Sequence, residues 1–216
     1  MTDHARIEHI RAEGKPFVSI ITPCYKRPMA LARNRASVAA QQRTDIEQIL
    51  VIDDVGRGWA WVARELARAT QYASGQYIVC LDDDDELAGP DVIDSLDKAL
   101  GCLEMLPEVI VTLCEIEYSS GQRVTVPEPD YWGKPPVKGH ISGQCVVLRR
   151  DIRMQHLADF AADDDGMVID YPWMRAVFGS HDRVVWLPMH LARMQFRGLG
   201  RTEEELLAAG RHPVAA

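Results

Sequence analysis

The sequence predicts an α/β protein built on an open, mostly parallel, Rossmann-like sheet flanked by helices. Four short, β-branched and nearly continuous apolar runs carry this prediction, because strands buried on both faces of a sheet have that pattern. Helical patterns separate successive runs, and a chain of 216 residues is long enough for one such domain. The four runs are residues 17–21, 48–52, 77–81 and 109–114.

Three helical segments connect these runs. The first helix is expected from Pro28 to about residue 41, because proline fits the first turn of a helix. In the second, apolar residues recur every three or four positions from Trp59 onwards, and Glu65 falls on the side expected to face water. The third begins near Pro90 and must end before Pro107. This alternation of strands and helices predicts right-handed crossovers between parallel strands.

The second half of the chain is less regular. Residues 115–118 and 123–126 are expected to form a hairpin, and a long loop rich in proline and glycine follows it. A loop of that length is usually functional or disordered. The remaining expected elements are a strand at 144–148, helices near 150–160 and 167–178, a strand at 183–187, and a terminal helix with a capping box at Thr202.

Composition and charge exclude several classes of protein. Hydrophobic residues make up 47% and charged residues 26% of the chain, which argues against disorder, and no apolar segment is long enough to span a bilayer. The formal net charge of −8 opposes binding to phosphate backbones, so nucleic acid is not an expected partner. Five cysteines form no C-x-x-C pair and are expected as reduced thiols. Because the N-terminus resembles no signal peptide, a cytoplasmic location is expected.

The strongest functional signal is the run of acidic residues 82–86, which directly follows the third predicted strand. The first strand leads into residues 22–27, and the second into Asp53 and Asp54. Ligands of open α/β sheets bind where the carboxyl ends of the strands meet. A divalent cation would relieve the repulsion within the acidic run, and Mg²⁺ or Mn²⁺ typically shares such carboxylates with substrate phosphates. The sequence therefore predicts a metal-diphosphate site at this edge.

The alternative interpretation of an acidic run is a solvated loop, and its position at a strand end argues against that here. An EF-hand is excluded, because Leu87 stands where that loop requires glycine. The second acidic run, residues 163–165, follows a predicted helix and is interpreted as solvated.

Three motifs in order resemble the nucleotide-binding half of family 2 glycosyltransferases with the GT-A fold. They are PFVSIITPCYKRP, ILVIDD and ASGQYIVCLDDDDELAGPDVI, which are similar to the family's P-x-V-S-I-I-x-P-x-Y-N-R, V-D-D-G-S and A-x-G-x-Y-I-x-x-L-D-x-D-D patterns. The resemblance covers residues 16–100 well and 140–190 loosely. It implies a single GT-A-like domain, with a nucleotide-sugar-binding half at about 16–114 and a small irregular acceptor-side half at about 115–200.

The resemblance also implies roles for individual residues. Asp54 would accept a hydrogen bond from the base of a nucleotide sugar, and Arg27 would lie near the phosphates. Asp84 would be the main ligand of Mn²⁺ or Mg²⁺, and Asp82 would reach the ribose or the metal. The other residues implied on the donor side are Pro23 and Tyr25, which would flank the base, and Asp83.

The chain departs from the family pattern at three places. Lys26 stands where the family usually has asparagine, and Val55 replaces the glycine that usually follows the paired aspartates. Only 20 residues separate Asp54 from Gly75, so a segment that members commonly insert there is missing.

On the acceptor side, the family places a catalytic base in a motif that reads roughly E-D-x-x-x-W-x-R. Residues 169–175, IDYPWMR, are similar, and they imply Asp170 as the base. Helix capping is an equally good interpretation of Asp170, and Asp164 and Asp165 remain rivals because the spacing is one residue short.

Three aromatic residues are weaker candidates. The resemblance implies that His140 lines the acceptor side, and His190 is a candidate third metal ligand. Trp132 could close over the donor or stack on a sugar, although a large apolar side chain also commonly anchors a long loop.

The leading hypothesis is a metal-dependent inverting glycosyltransferase that moves a sugar from a nucleotide diphosphate sugar to an unidentified hydroxyl acceptor. In such a reaction a carboxylate takes the proton of the acceptor, and the cation stabilises the departing diphosphate. One alternative is a related protein that binds nucleotide or carbohydrate without turnover. A nucleotidyltransferase is a weaker alternative, because the loop after the first strand contains no glycine.

Overall fold

The structure is a computed structural model that describes residues 4–12, 14–118, 120–159, 170–196 and 202–208. Its strands are β1 (Arg6–Ile10), β2 (Val18–Cys24), β3 (Ile46–Ile52), β4 (Tyr77–Cys80), β5 (Glu86–Leu87), β6 (Val109–Tyr118), β7 (Arg123–Val126), β8 (Val146–Arg149) and β9 (Val184–Phe196). Its helices are α1 (Pro28–Ala39), α2 (Trp59–Thr70), α3 (Val92–Gly101), α4 (Arg150–Gln155), α5 (Asp170–Ser180) and α6 (Glu203–Ala208).

The strands form one mixed sheet in the order β1-β3-β2-β4-β8-β6-β9-β5, with β7 paired to β6. The prediction of a mostly parallel sheet is wrong. Within the described ranges, parallel pairing is limited to β2–β3, β2–β4 and β6–β9, while the other pairs are antiparallel. The physical reason is β8, which inserts antiparallel between β4 and β6 and so separates two strands that run in the same direction.

The strands and helices predicted for the first half of the chain are confirmed. The four apolar runs are β2, β3, β4 and β6, and these strands all run in one direction. The helices predicted between them are α1, α2 and α3, and the hairpin is β6–β7. The strand predicted at 183–187 is longer, because β9 continues to Phe196 along β6. β1 was not predicted; it lies antiparallel to β3 at one edge of the sheet.

Apolar side chains are buried on both faces of the sheet, as expected for near-continuous apolar strands. Successive residues of β2 point to opposite faces, so that Ile20 joins one cluster and Ile21 the other. The cluster of Ile20 packs against α3 and α5, and that of Ile21 packs against α2. On α2 the side chain of Trp61 is buried, whereas Trp59 is only partly buried.

Glu65 was predicted to face water, but its side chain is buried on α2. Its carboxylate accepts hydrogen bonds from the Ala5 backbone N–H at 2.9 Å and from Arg68 Nε at 2.8 Å, and His4 Nδ1 lies 3.0 Å away. These partners compensate for the desolvation of the carboxylate. They also attach the beginning of the described chain to α2.

Two smaller features complete the fold. The capping box at the start of α6 is confirmed, because Thr202 N–H donates to Glu205 Oε2 at 2.7 Å and Glu205 N–H donates to Thr202 Oγ1 at 3.2 Å. In the described ranges, no helix has both the length and the apolar character needed to cross a membrane.

Candidate active site

The predicted edge of the sheet is the place where the polar strand ends meet. β3, β2 and β4 are adjacent and parallel, so their carboxyl ends open on the same side. The Tyr25 backbone N–H, just beyond β2, donates to Asp83 Oδ2 at 2.9 Å. Arg27 pairs with Asp83 and, through Nη1 at 2.5 Å, with Asp84 Oδ2. The loops after β2 and β4 are therefore held together by charge and by a backbone hydrogen bond.

Three of the aspartates after β4 converge. One carboxylate oxygen from each of Asp82, Asp84 and Asp85 lies within 4.8 Å of those of the other two, and we call these residues the aspartate triad. Asp83 points elsewhere, to Tyr25 and Arg27. No role was predicted for Asp85 from the sequence. The available signal was its position as the second of the two adjacent aspartates that end the L-D-x-D-D pattern.

Asn34, which sequence reasoning missed, holds the backbone of this loop. It is fully buried on α1, and its Nδ2 donates to the carbonyl of Asp82 at 2.8 Å and to that of Asp85 at 2.9 Å. Its Oδ1 accepts a hydrogen bond from Gln48 Nε2 at 2.7 Å. A fully bonded buried amide fixes the shape of the loop, and thereby the spacing of the aspartate triad.

The electrostatics of the loop favour a bound cation. Burial, reinforced by the charges of Asp84 and Asp170, raises the pKa of Asp82 to about 8. Burial also raises the pKa of Asp83 to about 7, although the positive charge of Arg27 opposes this shift. The pKa of Asp85 is well above its usual range because of burial and the charges of its two triad neighbours. Close, desolvated carboxylates resist ionisation unless a positive charge joins them.

The donor set fits a hard divalent cation. Carboxylate oxygens are the preferred protein ligands of Mg²⁺ and Mn²⁺, and Mg²⁺ commonly binds one or two of them together with water and substrate phosphates. Asp85 has one oxygen committed to the structure, because its Oδ1 accepts from the Gln195 backbone N–H at 3.0 Å. Asp82, Asp84 and the second oxygen of Asp85 are the groups that would hold the ion.

A cavity of about 280 Å³ lies beside the aspartate triad. This volume is close to the lower end of the range for small-molecule sites, roughly 300 Å³. All three strand ends contribute to its wall. The lining residues that matter here are Pro23, Tyr25, Arg27, Asp53, Gly56, Trp59, Trp61 and Asp82.

Asp53, rather than Asp54, faces this cavity. The Asp53 carboxylate accepts hydrogen bonds from the backbone N–H groups of Val55, Gly56 and Arg57 at 2.7–3.0 Å. Burial alone would raise the pKa of Asp53, but these donors hold it below the usual range. Asp54 is exposed and is not part of the cavity wall. Its assignment to the base therefore stays a prediction, without support from this placement.

The turn that follows β3 requires glycine at position 56. Its φ of +89° is in the region that favours glycine, and a Cβ there would lie 2.4 Å from the hydroxyl of Tyr25. The glycine lets the turn approach the Tyr25 ring, which forms one side of the cavity.

Lys26 adopts a left-handed conformation with φ of +46°, which turns the chain between Tyr25 and Arg27. Asparagine tolerates this region better than lysine does. We expect Lys26→Asn to raise the free energy of unfolding by about 0.5–1 kcal/mol. Urea denaturation followed by tryptophan fluorescence measures this change. Lys15→Asn, at an exposed lysine without positive φ, is the control, and an equal change there would contradict the explanation.

Asp170 is the first residue of α5. Its Oδ2 accepts a hydrogen bond from the Gly143 backbone N–H at 3.1 Å, and Trp173 Nε1 donates to Oδ1 at 3.4 Å. A Cβ on Gly143 would lie 2.7 Å from the Asp170 carboxylate, so this approach requires glycine. Burial raises the pKa of Asp170, and these hydrogen bonds oppose the shift. The negative charge of Asp170 in turn contributes to the raised pKa of Asp82.

The aromatic candidates of the long loop pack within the protein. Trp132 lies edge-to-face against Trp186 on β9, with ring centroids 5.1 Å apart, a contact that fits an anchoring role. His140 stacks on Tyr131 at 3.8 Å. His190 is exposed, and its Nε2 lies 3.4 Å from Thr125 Oγ1. Contact of Trp132 or His140 with an acceptor stays a prediction.

In the described part of the chain, the aspartate triad is the one group of three or more possible metal ligands, so His190 does not join it. Asp164 and Asp165, the rivals of Asp170, lie outside the described residues, as does the rest of the run 163–165.

The fold is similar to those of glycosyltransferases of known structure. Residues 1–349 of S. aureus TarS in complex with UDP match 82% of this chain and 60% of their own, with a TM-score of 0.59 and 11% identity. The same protein in complex with UDP-GlcNAc matches 84% of this chain and 59% of its own, with a TM-score of 0.58 and 13% identity. Mannosyltransferase PcManGT from Pyrobaculum calidifontis, in complex with GDP-Man and Mn²⁺, matches 85% of this chain and 59% of its own, with a TM-score of 0.55 and 13% identity.

These similarities show a GT-A-like glycosyltransferase fold. The chain spans about 60% of the length of these neighbours. Neither a protein family defined by sequence nor a curated protein sequence matches it.

Proposed function

We propose that the protein is a compact family 2 glycosyltransferase that moves a sugar from a nucleotide diphosphate sugar to a hydroxyl acceptor, with inversion and with the help of Mn²⁺ or Mg²⁺. In this proposal residues 16–114 form the donor-binding half and residues 115–200 the acceptor side of one domain. The neighbours bound to UDP, UDP-GlcNAc or GDP-Man support the class of donor.

The observation that carries the proposal is the convergence of the aspartate triad beside a cavity where the strand ends meet. The triad offers carboxylate oxygens to a cation, and the cavity has a volume of about 280 Å³. Asp170, at the start of α5, is the proposed second group. Transfer of a sugar needs this pair of functions, one group to hold the leaving diphosphate and another to accept a proton.

Each residue of the site then has a defined task. Tyr25 and Trp59 line the cavity and are only partly buried, so that they offer apolar surface to a base. Asp82, Asp84 and Asp85 would hold the cation, which when bound neutralises charge that develops on the departing diphosphate. The Asp170 carboxylate accepts the proton of the attacking hydroxyl. A buried carboxylate with a raised pKa is a stronger base than an exposed one, which suits this role.

Donor turnover tests the proposal. The protein with Mn²⁺ should slowly release nucleoside diphosphate from at least one of the UDP-, GDP-, CDP- and dTDP-sugars, with water as the acceptor. Nucleotide sugars that raise the melting temperature without being turned over would instead identify a binding protein. Release of pyrophosphate from a nucleoside triphosphate and a sugar phosphate would identify a nucleotidyltransferase.

Asp85→Asn tests the cation site specifically. Asparagine retains an oxygen for the Gln195 N–H but lacks the charge, so the fold should persist while Mn²⁺ affinity falls by at least about tenfold. Titration of Mn²⁺ by electron paramagnetic resonance measures the loss, and donor turnover should fall with it. Asp182→Asn, at an exposed aspartate outside the site, is the matched control. Equal Mn²⁺ binding by both variants would refute the proposed cation site.

A further inference from the structure

Arg27 lies between the cavity and the acidic run. Its side chain is only 9% exposed, yet it lines the cavity on one side and contacts Asp83 and Asp84 on the other. Its Nε is buried and has no hydrogen-bond partner among the described residues. A guanidinium group offers five N–H donors. Arg27 therefore has one N–H donor that no described protein group accepts.

The two carboxylates that Arg27 contacts differ in their surroundings. Asp83 is almost fully buried, and its Oδ2 accepts the Tyr25 backbone N–H, so this carboxylate is fixed. Asp84 is 15% exposed and belongs to the aspartate triad. Its Oδ2, at 2.5 Å from Arg27 Nη1, is an oxygen that a divalent cation would also seek. Two positive charges on one carboxylate repel each other, so Arg27 and a cation compete for Asp84.

We infer that Arg27 is an exchangeable counter-ion, which yields Asp84 to the divalent cation and turns Nη1 to the diphosphate of the nucleotide, while Asp83 retains Nη2. The inference rests on the proposed function. It makes the two ligands mutually dependent, because the nucleotide stabilises the guanidinium position that the cation requires. Reciprocal coupling of this kind is typically worth between about 5-fold and 150-fold in affinity.

Mn²⁺ titrations monitored by electron paramagnetic resonance, with and without UDP or GDP, test the exchange. In the unaltered protein the nucleoside diphosphate should tighten Mn²⁺ binding by about tenfold or more. Arg27→Gln removes the group that competes with the cation for Asp84. In the absence of nucleotide, Mn²⁺ should therefore bind this variant more tightly than it binds the unaltered protein. The same variant should lose the part of the tightening by nucleotide that the guanidinium supplies, and retain the part that comes from direct contact between the cation and the diphosphate.

Arg33→Gln is the matched control. Arg33 Nε lies 3.4 Å from Glu86 Oε1, so this change removes a neighbouring positive charge without freeing an oxygen of the aspartate triad. We expect Arg33→Gln to retain the coupling between Mn²⁺ and nucleotide. Unchanged or weaker Mn²⁺ binding by Arg27→Gln, or coupling in that variant as strong as in the unaltered protein, would overturn the inference but not the proposed function. Failure of the unaltered protein to bind either ligand would overturn both.

A second variant leaves Arg27 in place and so covers the case in which Arg27→Gln does not fold. Asp84→Asn removes the negative charge that holds Nη1 and so weakens this contact, and in the presence of EDTA it should bind UDP or GDP about fivefold more tightly than the unaltered protein. Quenching of tryptophan fluorescence measures this affinity, since Trp59 and Trp61 line the cavity. Glu86→Gln removes another charge of the run without releasing Arg27, and an equal gain in that variant would contradict the exchange.

Discussion

Asp170→Asn is expected to lower the rate of sugar transfer by about 10²- to 10⁴-fold, the usual contribution of a general base. Asparagine has nearly the same shape, and its carbonyl oxygen can still accept the Gly143 or Trp173 N–H. Donor and Mn²⁺ binding should therefore persist while kcat falls. Steady-state kinetics with a donor that is turned over, together with Mn²⁺ titration, separate these effects.

The alternative role of Asp170 as a helix cap predicts a different result. Loss of a cap would lower the free energy of unfolding by about 1 kcal/mol and leave kcat unchanged. The described contacts of the carboxylate go to Gly143 and to the side chain of Trp173, rather than to the backbone of its own first turn. A stability loss with normal kcat would remove Asp170 from the mechanism.

Gly143→Ala provides an independent check on the position of Asp170. An added Cβ would lie 2.7 Å from the carboxylate, so the side chain of Asp170 must move although its chemistry is unchanged. We expect kcat to fall here as well, by less than in Asp170→Asn. Gly101→Ala is the control, because a Cβ there meets no atom within 4 Å.

The fold class could be predicted because the strands that carry it are short apolar runs with clear boundaries. What the pattern could not show was which strands are neighbours. β8 has the same kind of apolar sequence as β4 and β6, and its insertion between them depends on the course of a long irregular connection. β1 was missed because an edge strand alternates polar and apolar residues and carries arginine and glutamate.

The sequence allowed the location of the candidate site at the strand ends to be predicted, but not the arrangement of its side chains. The position of residues 82–86 after β4 indicated the acidic site, but the sequence does not show which carboxylates converge. The role of Asn34 could not be predicted, because the sequence does not distinguish a buried asparagine in a helix from an exposed one. Asp53 and Asp54 could not be distinguished either, since their orientations depend on the turn that Gly56 permits.

Glu47 is another charged residue whose burial the sequence did not reveal, and its replacement should have the largest effect on stability. The side chain lies on β3, is 2% exposed, and joins three parts of the sheet. Ser19 Oγ on β2 donates to Oε1 at 2.5 Å, and His9 Nε2 on β1 lies 2.6 Å from Oε2. The backbone N–H groups of Ser74 and Gly75, just before β4, also donate to Oε1.

We expect Glu47→Gln to lower the free energy of unfolding at pH 7 by about 1–3 kcal/mol, because hydrogen bonds to a neutral amide are weaker than those to a carboxylate. The amide oxygen can still accept from Ser19 Oγ and from the Ser74 and Gly75 N–H groups, while the NH₂ group faces His9 Nε2 and Ser74 Oγ. Burial alone would raise the pKa of Glu47, but its hydrogen bonds to Ser19, Ser74 and His9 hold that pKa below the usual value of 4.5. Urea denaturation across a range of pH measures the effect.

The sign of the pH dependence follows from the lowered pKa. A carboxylate with a lowered folded-state pKa stabilises the fold above the unfolded-state value of 4.5, and this stabilisation is lost as the pH falls through the folded-state pKa. The difference in stability between the unaltered protein and Glu47→Gln should therefore be constant near neutral pH and shrink below about pH 4.5. Glu104→Gln, at an exposed carboxylate, is the matched control. A difference that stays constant down to the acid transition would mean that Glu47 stabilises the fold by its shape and not by its charge.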